Sequence, residues 1–355
     1  MACVTPKVSV VIPTFNRAEY ILQSINSVLR QTVQPDEIIV VDDGSTDDTE
    51  EIVRNFGVGR IKYLRKEHTG APDTRNRGLE IARGDYVITV ASDDVAFEHL
   101  VERHLDAHFR DPGLDLYCGD LIATNADLEP FMRVKYPRCL NDSRLLLSTS
   151  AFTNQIGDPF TMLRRSWALE IGGYDLKFSR CQDWDMWTRR MDGFRVKHIG
   201  GDLGSWRWHS TNLSANRKDP NRLSYDRIIR DRVLKARNGW FHIENLGWSA
   251  LIKRDQRRPI LIWGAGEYGE AMLRMLEWMG FSISGYVDSN SSKNGSVFEG
   301  FRVRLPVGLD TESPLPIVVI ASVYEHEIAA ALDLLGYREN LDYFRLHGVE
   351  YHKVS

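Results

Sequence analysis

The chain has 355 residues, 43% hydrophobic and 26% charged, with a formal net charge of −4. That length suits two domains better than one, and the slightly acidic balance supplies no basic field for nucleic acid. Four scattered cysteines, Cys3, Cys118, Cys139 and Cys181, form no C-x-x-C pair, which points away from a zinc knuckle or a disulfide framework and fits a reducing cytoplasm.

The opening MACVTPKVSVVIP is too short and unflanked to read as a signal peptide. No run of about 18 apolar residues occurs that could span a membrane. Strand and helix signals then alternate. KVSVVIP (7–13) reads as a buried strand, and residues 17–31 place Ile21, Leu22, Ile25, Val28 and Leu29 on one helical face. EIIVVDD (37–43) is a second strand, and residues 45–56 open with capping residues and acids suited to a helix start. A strand at 60–66, a helix at 71–84 and a strand at 85–91 complete a βαβαβαβ order. The order predicts an α/β fold with a mainly parallel, doubly covered sheet. Ligands of such sheets lie beyond the carboxyl ends of the strands. Thr14, Asn16, Arg17, Asp42, Asp43, Asp93 and Asp94 all fall there.

Residues 96–225 are less regular and rich in Trp and Arg, as expected of a cleft wall. Residues 226–257 read as a basic, aromatic helical linker, with peripheral contact to anionic lipid as the alternative. A second α/β unit starts at residue 258. Its glycines Gly264, Gly266 and Gly269 form G-x-G-x-x-G between a strand and a helix, and Asp288 ends the next strand. That is a dinucleotide-binding pattern in context. Three readings of this unit stay open: a nucleotide-binding accessory domain, a degenerate fold for dimerisation or acceptor docking, and a second enzyme.

Adjacent acids Asp93 and Asp94 at a strand end could cap a helix at 97–109, or hold a hard divalent cation that prefers carboxylate oxygen. Their company favours the second. PTFNRAEY, VVDDGSTDDT, TRNRG, YVITVASDD, GGYD and QDWDMW occur in the order seen in family 2 glycosyltransferases of the GT-A fold, and the resemblance covers roughly residues 7–215. It implies a GT-A nucleotide-sugar transferase domain over 1–225, followed by the linker and a small Rossmann-like α/β domain over 258–355. It further implies non-processive transfer of a sugar from a nucleotide diphosphate sugar, commonly a UDP-sugar, with inversion at the anomeric carbon.

Residue by residue, Pro13 and Thr14 resemble the family's nucleoside-binding edge, with Asn16 and Arg17 nearby. Asp43 resembles the acid that bonds the base, with Asp42 in support, and Arg75 an arginine facing the donor phosphates. Asp94 resembles the direct ligand of Mn²⁺ or Mg²⁺, Asp93 a contact to the donor ribose or sugar, and His209 a residue completing the metal site. Many members carry a further acid where this chain has Ala91. Asp183 resembles the general base, in an element whose usual glutamate is Gln182 here. The absence of Q-x-x-R-W and of spanning segments argues against a processive synthase. The expected partners are the nucleotide-sugar donor and a glycan, lipid-linked or protein acceptor, in the cytoplasm or at the inner face of the membrane, with homo-oligomerisation left open. A non-catalytic nucleotide-sugar-binding scaffold and a bifunctional enzyme with a dinucleotide-using C-terminal domain are the rivals.

Overall fold

The structure is a computed structural model that describes residues 5–56, 59–136, 150, 154–190, 193–212, 222–235, 258–278, 280–322, 324–345 and 350–354. The chain divides into two compact units, one of residues 1–143, 156–226 and 351–355, the other of residues 144–155 and 227–350.

In the first unit, β1 (Val8–Thr14) lies between β2 (Glu37–Asp42) and β4 (Tyr86–Thr89), parallel to both, and β2 pairs in parallel with β3 (Ile61–Arg65). The connections are helices α1 (Ile21–Leu29), α2 (Thr49–Phe56) and α3 (Ala71–Ile81). With both faces covered, β1 and β2 are buried at nearly every position rather than alternately. Gly78 of α3 permits its close approach to the sheet, since a Cβ there would sit 2.3 Å from Val11 Cγ1.

Helix α1 starts at Ile21, four residues later than the apolar periodicity predicts. Residues 17–20 form a turn on the Arg17 carbonyl, because the Arg17 N–H is taken by Thr49 Oγ1 and Asn16 has a φ of 50°. That turn leaves the Asn16 and Arg17 side chains at the strand end.

Beyond β4 the sheet turns antiparallel. β8 (Met162–Arg164) pairs with β4, β6 (Leu116–Thr124) with β8, and β7 (Pro130–Lys135) with β6. β16 (Glu350–Lys353) forms the edge beside β7. β9 (Val196–Arg207) runs parallel to β6 and antiparallel to the short β5 (Val95–Ala96). From sequence alone this stretch reads as irregular. Gly200 and Gly201 interrupt β9, and the β6–β9 register shifts twice, so neither strand keeps a clean period of two. The remaining helices are α4 (Leu100–Arg110), α5 (Arg165–Glu170), α6 (Gln182–Arg189) and α7 (Arg222–Lys235). Helix α7 covers the start of the expected linker, and residues 236–257 lie outside the described residues.

The second unit is a six-stranded sheet in the order β12-β13-β11-β10-β14-β15. Its strands are β10 (Ile260–Trp263), β11 (Gly285–Val287), β12 (Val297–Phe298), β13 (Phe301–Arg304), β14 (Ile317–Ile320) and β15 (Tyr343–Phe344). All neighbours are parallel except β12 and β13. Helices α8 (Glu267–Trp278) and α9 (Glu325–Leu334) accompany it. Leu261, Trp263, Val287, Val318, Ile320 and Leu332 form its core. Among the described residues, no helix is long and apolar enough to cross a membrane.

Candidate active site

The strand that ends in two acids is stopped by a turn. The Ala91 carbonyl accepts from Ser24 Oγ (3.0 Å) and from the Asp94 N–H (3.1 Å), and Val95 and Ala96 then pair with β9. Asp93 and Asp94 occupy that turn and do not cap α4, whose N-cap is His99 without a side-chain bond. Asp93 Oδ2 meets Arg17 Nε at 3.2 Å and His209 Nε2 at 3.0 Å. Asp94 is 1% exposed, and its Oδ1 accepts from the Arg207 N–H (2.9 Å). Burial, and then the adjacent Asp93 charge, hold the Asp94 carboxyl well above the usual range, although the Arg207 N–H and guanidinium oppose this.

Behind the acids, the buried Arg207 guanidinium lies 4.6 Å from the Tyr20 ring centre, and the Tyr20 ring lies 4.7 Å from that of His209. His209 Nδ1 is 2.9 Å from Thr211 Oγ1, so both ring nitrogens have partners. The carboxylate beside His209 is therefore Asp93, while Asp94 bonds to backbone one step behind it. Among the described residues, no group of three His, Cys, Asp or Glu side chains is disposed to hold a metal ion. The carboxylate–imidazole pair of Asp93 and His209, with Asp94 adjoining, still fits a hard divalent ion that takes one or two carboxylates from protein and the rest from phosphate and water.

Pro13 and Thr14 end β1, next to β2. Asn16 Oδ1 accepts from the Thr46 N–H (2.8 Å), tying the first loop to the second. Asp42 is fully buried and accepts from the Ser45 N–H (2.8 Å) and the Tyr63 hydroxyl (2.5 Å). The Asp43 carboxylate accepts from the Thr69 N–H (3.0 Å), the Gly70 N–H (2.9 Å) and the Lys66 ammonium, and His68 Nδ1 lies 2.8 Å from it and 3.2 Å from the Asp43 carbonyl. Burial alone would raise its carboxyl, but Lys66 and the two N–H groups outweigh it and hold Asp43 below the usual range. Neither acid caps α2, where Asp47 bonds the Thr49 N–H instead. Both organise the loops around an open pocket lined by Gly44, Arg65, Lys66 and His68, and the His68 ring stacks on Phe15 at 4.1 Å.

Asp183 stands in the first turn of α6, directly after Cys181 in the left-handed region (φ 55°). The helix is pinned from behind by Trp187, whose Nε1 donates to the Ile156 carbonyl (3.1 Å). Trp184 is 3% exposed and belongs to the core, and Asp185 faces away, buried, with Arg189 Nε at 2.9 Å. Arg75 reaches this helix from α3. Its NH1 donates to Gln182 Oε1 (3.1 Å) and its Nε to Asp158 Oδ2 (2.9 Å). The Tyr174 hydroxyl donates to the other Asp158 oxygen (2.7 Å). Sequence reasoning missed Asp158, Lys66, Tyr20 and Arg207. Asp158 and Arg207 lie in the stretch that reads as irregular, and Lys66 reads only as the end of a strand.

In the second unit, Gly264 has a φ of 124°, and a Cβ there would sit 2.3 Å from the Ala321 carbonyl oxygen. A Cβ on Gly269 would sit 2.0 Å from the Gly264 oxygen, whereas Gly266 faces open space. The glycines thus first serve close packing of loop, helix and neighbouring strand. Asp288 Oδ2 accepts from the Ala265 N–H (2.9 Å) and Lys293 Nζ (2.8 Å), and Lys293 also bonds the Ala265 carbonyl (2.8 Å). Lys293 therefore covers the carboxylate that completes the glycine-rich sequence pattern.

Residues 9–172 match the family described as Glycosyl transferase family 2, and residues 256–341 match the one described as C2185-like, N-terminal. An uncharacterised glycosyltransferase of Rickettsia prowazekii is 32% identical over 199 residues, 55% of this chain and 61% of that protein. The glycosyltransferase GlyG of Streptococcus pneumoniae is 40% identical over 98 residues, 27% of this chain and 33% of that protein. The chain thus spans less than two thirds of the length of either relative. Among solved structures, residues 1–349 of S. aureus TarS in complex with UDP-GlcNAc are similar with a TM-score of 0.51 at 22% identity, covering 64% of this chain and 67% of that one. Residues 9–172 of the first unit are thus similar to glycosyltransferase family 2, and the unit shares the GT-A-type α/β fold of such structures, with a smaller second sheet unit in the rest of the chain.

Proposed function

We propose that the chain is a non-processive, inverting glycosyltransferase that moves a sugar from a nucleoside diphosphate sugar, a UDP-sugar first among candidates, to a hydroxyl of a glycan, lipid-linked or protein acceptor. The observation that carries the reading is the first unit's pairing of two elements. One is a carboxylate–imidazole–guanidinium cluster at the strand ends, made by Asp93, His209 and Arg17. The other is a helix-borne carboxylate, Asp183, joined to the donor-side helix α3 through Arg75 and Gln182. The match of residues 9–172 to glycosyltransferase family 2 and the glycosyltransferase names of the relatives support it.

The nucleoside is assigned to the edge formed by Pro13, Thr14, Asn16, Arg17, Asp42 and Asp43, and the diphosphate to the side of Arg75, Asp93 and Asp94. Asp93, Asp94 and His209 would hold Mn²⁺ or Mg²⁺, which supplies charge neutralisation for the diphosphate leaving group. Asp183 takes the proton from the acceptor hydroxyl. The acceptor oxygen bonds to the anomeric carbon as the bond to the diphosphate breaks, the nucleoside diphosphate leaves with that electron pair, and the configuration inverts. A cation held by this pair would favour the ionised form of the Asp94 carboxyl, which burial and Asp93 raise. Placement in the cytoplasm, with or without contact to the membrane face, belongs to the same proposal.

A panel of UDP-, GDP-, CDP- and dTDP-sugars, assayed for release of the nucleoside diphosphate with and without Mn²⁺, tests the reading. Metal-stimulated release from one donor class is expected. No release from any donor, with or without oligosaccharide acceptors, would leave a binding protein rather than a transferase.

A further inference from the structure

Arg75 is a cation without ready access to water, since its side chain is 16% exposed. Such a group needs a counter-charge close by. Its bond to Gln182 supplies an oxygen but no charge. Its ion pair is with Asp158, which is 6% exposed and comes from the loop just before β8. Asp158 is in turn fixed at both ends. The Tyr174 hydroxyl holds Oδ1 at 2.7 Å, and the Asp158 carbonyl accepts from Thr161 Oγ1 at 2.9 Å. The Tyr174 ring also lies beneath the Arg75 guanidinium, 5.8 Å from its carbon. One end of this assembly therefore rests on the donor-side helix and the other on the first turn of the helix that carries Asp183.

We propose that Asp158 is a positioning residue. It provides the negative charge that Gln182 does not, locks the Arg75 fork between α3 and α6, and thereby fixes the base Asp183 against the donor site. This deepens the transferase reading and rests on it. Asp158 need not touch substrate, and its effect runs through Arg75 and Gln182. A carboxylate moved to position 182 would reach the same guanidinium, because the Gln182 amide oxygen is already bonded to it at 3.1 Å.

The test is a double-mutant cycle of Asp158→Asn and Gln182→Glu in the full chain, read by melting temperature, by kcat and by the acid limb of the kcat–pH profile. Asp158→Asn removes the carboxylate paired with Arg75 and leaves it only the electrostatic influence of Asp183, and we expect melting to fall by roughly 5–10 °C. We expect kcat to fall at least about tenfold as orientation is lost. The groups acting electrostatically with Asp183 include Arg75, Tyr174 and Cys181, with Asp226 of α7 bonded to the Cys181 thiol. Deleting the Asp158 charge makes the surroundings of Arg75 more positive, so we expect the acid limb of the profile to move to lower pH. The double variant should recover most of all three losses. Two results would overturn the proposal: a double variant no better than Asp158→Asn, or an Asp158→Asn variant that melts early yet keeps wild-type kcat and acid limb. If the wild type turns over no donor at all, the transferase reading fails separately. The melting cycle then decides alone, and the absence of coupling between positions 158 and 182 would refute the exchange of charge.

Discussion

His104 should make the first unit sensitive to acid in a defined window. The side chain is 0% exposed in α4, and its Nε2 lies 2.8 Å from the Phe160 carbonyl. A neutral ring with the proton on Nε2 satisfies that carbonyl. Burial first, and then the nearby Arg103 charge, push its pKa down from 6.5 to about 4, with the Phe160 carbonyl opposing. Below pH 6.5 the unfolded chain binds a proton at this histidine that the folded chain refuses. The stability it contributes is therefore complete above about pH 6.5 and lost as the pH falls toward 4. At about 1.4 kcal/mol per unit, the loss over that window is on the order of 3 kcal/mol. The consequence is local as well as global. Phe160 has a φ of 65° and follows Asp158 by two residues, so the loop that presents Asp158 hangs on this bond. Urea unfolding of the wild type and of His104→Gln, from pH 7.5 down to pH 4.5, measures the effect. The variant should start lower and fall less steeply, so that the two stability curves converge as the pH drops. Parallel curves would refute the assignment of a neutral, proton-refusing His104.

Asp183→Asn should abolish transfer while donor affinity changes less than about twofold, because the carboxylate acts on the acceptor proton and not on donor binding; unchanged turnover would remove the base assignment. Gly78→Ala should destabilise the first unit by about 1–3 kcal/mol, since its Cβ would sit 2.3 Å from Val11 Cγ1 in a strand core that cannot yield cheaply; chemical denaturation reads this, and a neutral result would show that α3 can shift. Titration of NADH fluorescence should show no saturation below millimolar concentration, because Lys293 and the Ala265 N–H already occupy Asp288. A saturating signal would restore the dinucleotide reading of the second unit.

The parallel half of the first sheet was legible because its physics is local. Strands buried on both faces read as apolar runs, and the helices between them carry clear periodic faces. The antiparallel half was not. β9 crosses two glycines and changes register against β6, which erases the alternation that would mark it. Of the site, the acids were legible as residue types at strand ends, and their division of labour was not. Which of Asp93 and Asp94 meets His209 depends on a turn closed by Ser24 on the Ala91 carbonyl, a contact between residues far apart in the chain. Asp158 lay beyond reach for the same reason. Its partners are Arg75 and Tyr174, and nothing adjacent to it in sequence signals either. In the second unit the glycine pattern was plain, but the Lys293 contact to Asp288 comes from a short 3₁₀ turn that no periodicity marks.

In the proposed function the first unit binds a nucleoside diphosphate through a divalent cation at Asp93, Asp94 and His209. Calorimetric titration of UDP into the full chain, with and without Mn²⁺, repeated on His209→Ala and on Gly266→Val, tests it most directly. Binding should strengthen at least about tenfold with Mn²⁺ in the wild type and in Gly266→Val, and lose that response in His209→Ala. A metal response that survives in His209→Ala, or UDP binding that vanishes only in Gly266→Val, would contradict it and move the nucleotide site to the glycine-rich loop.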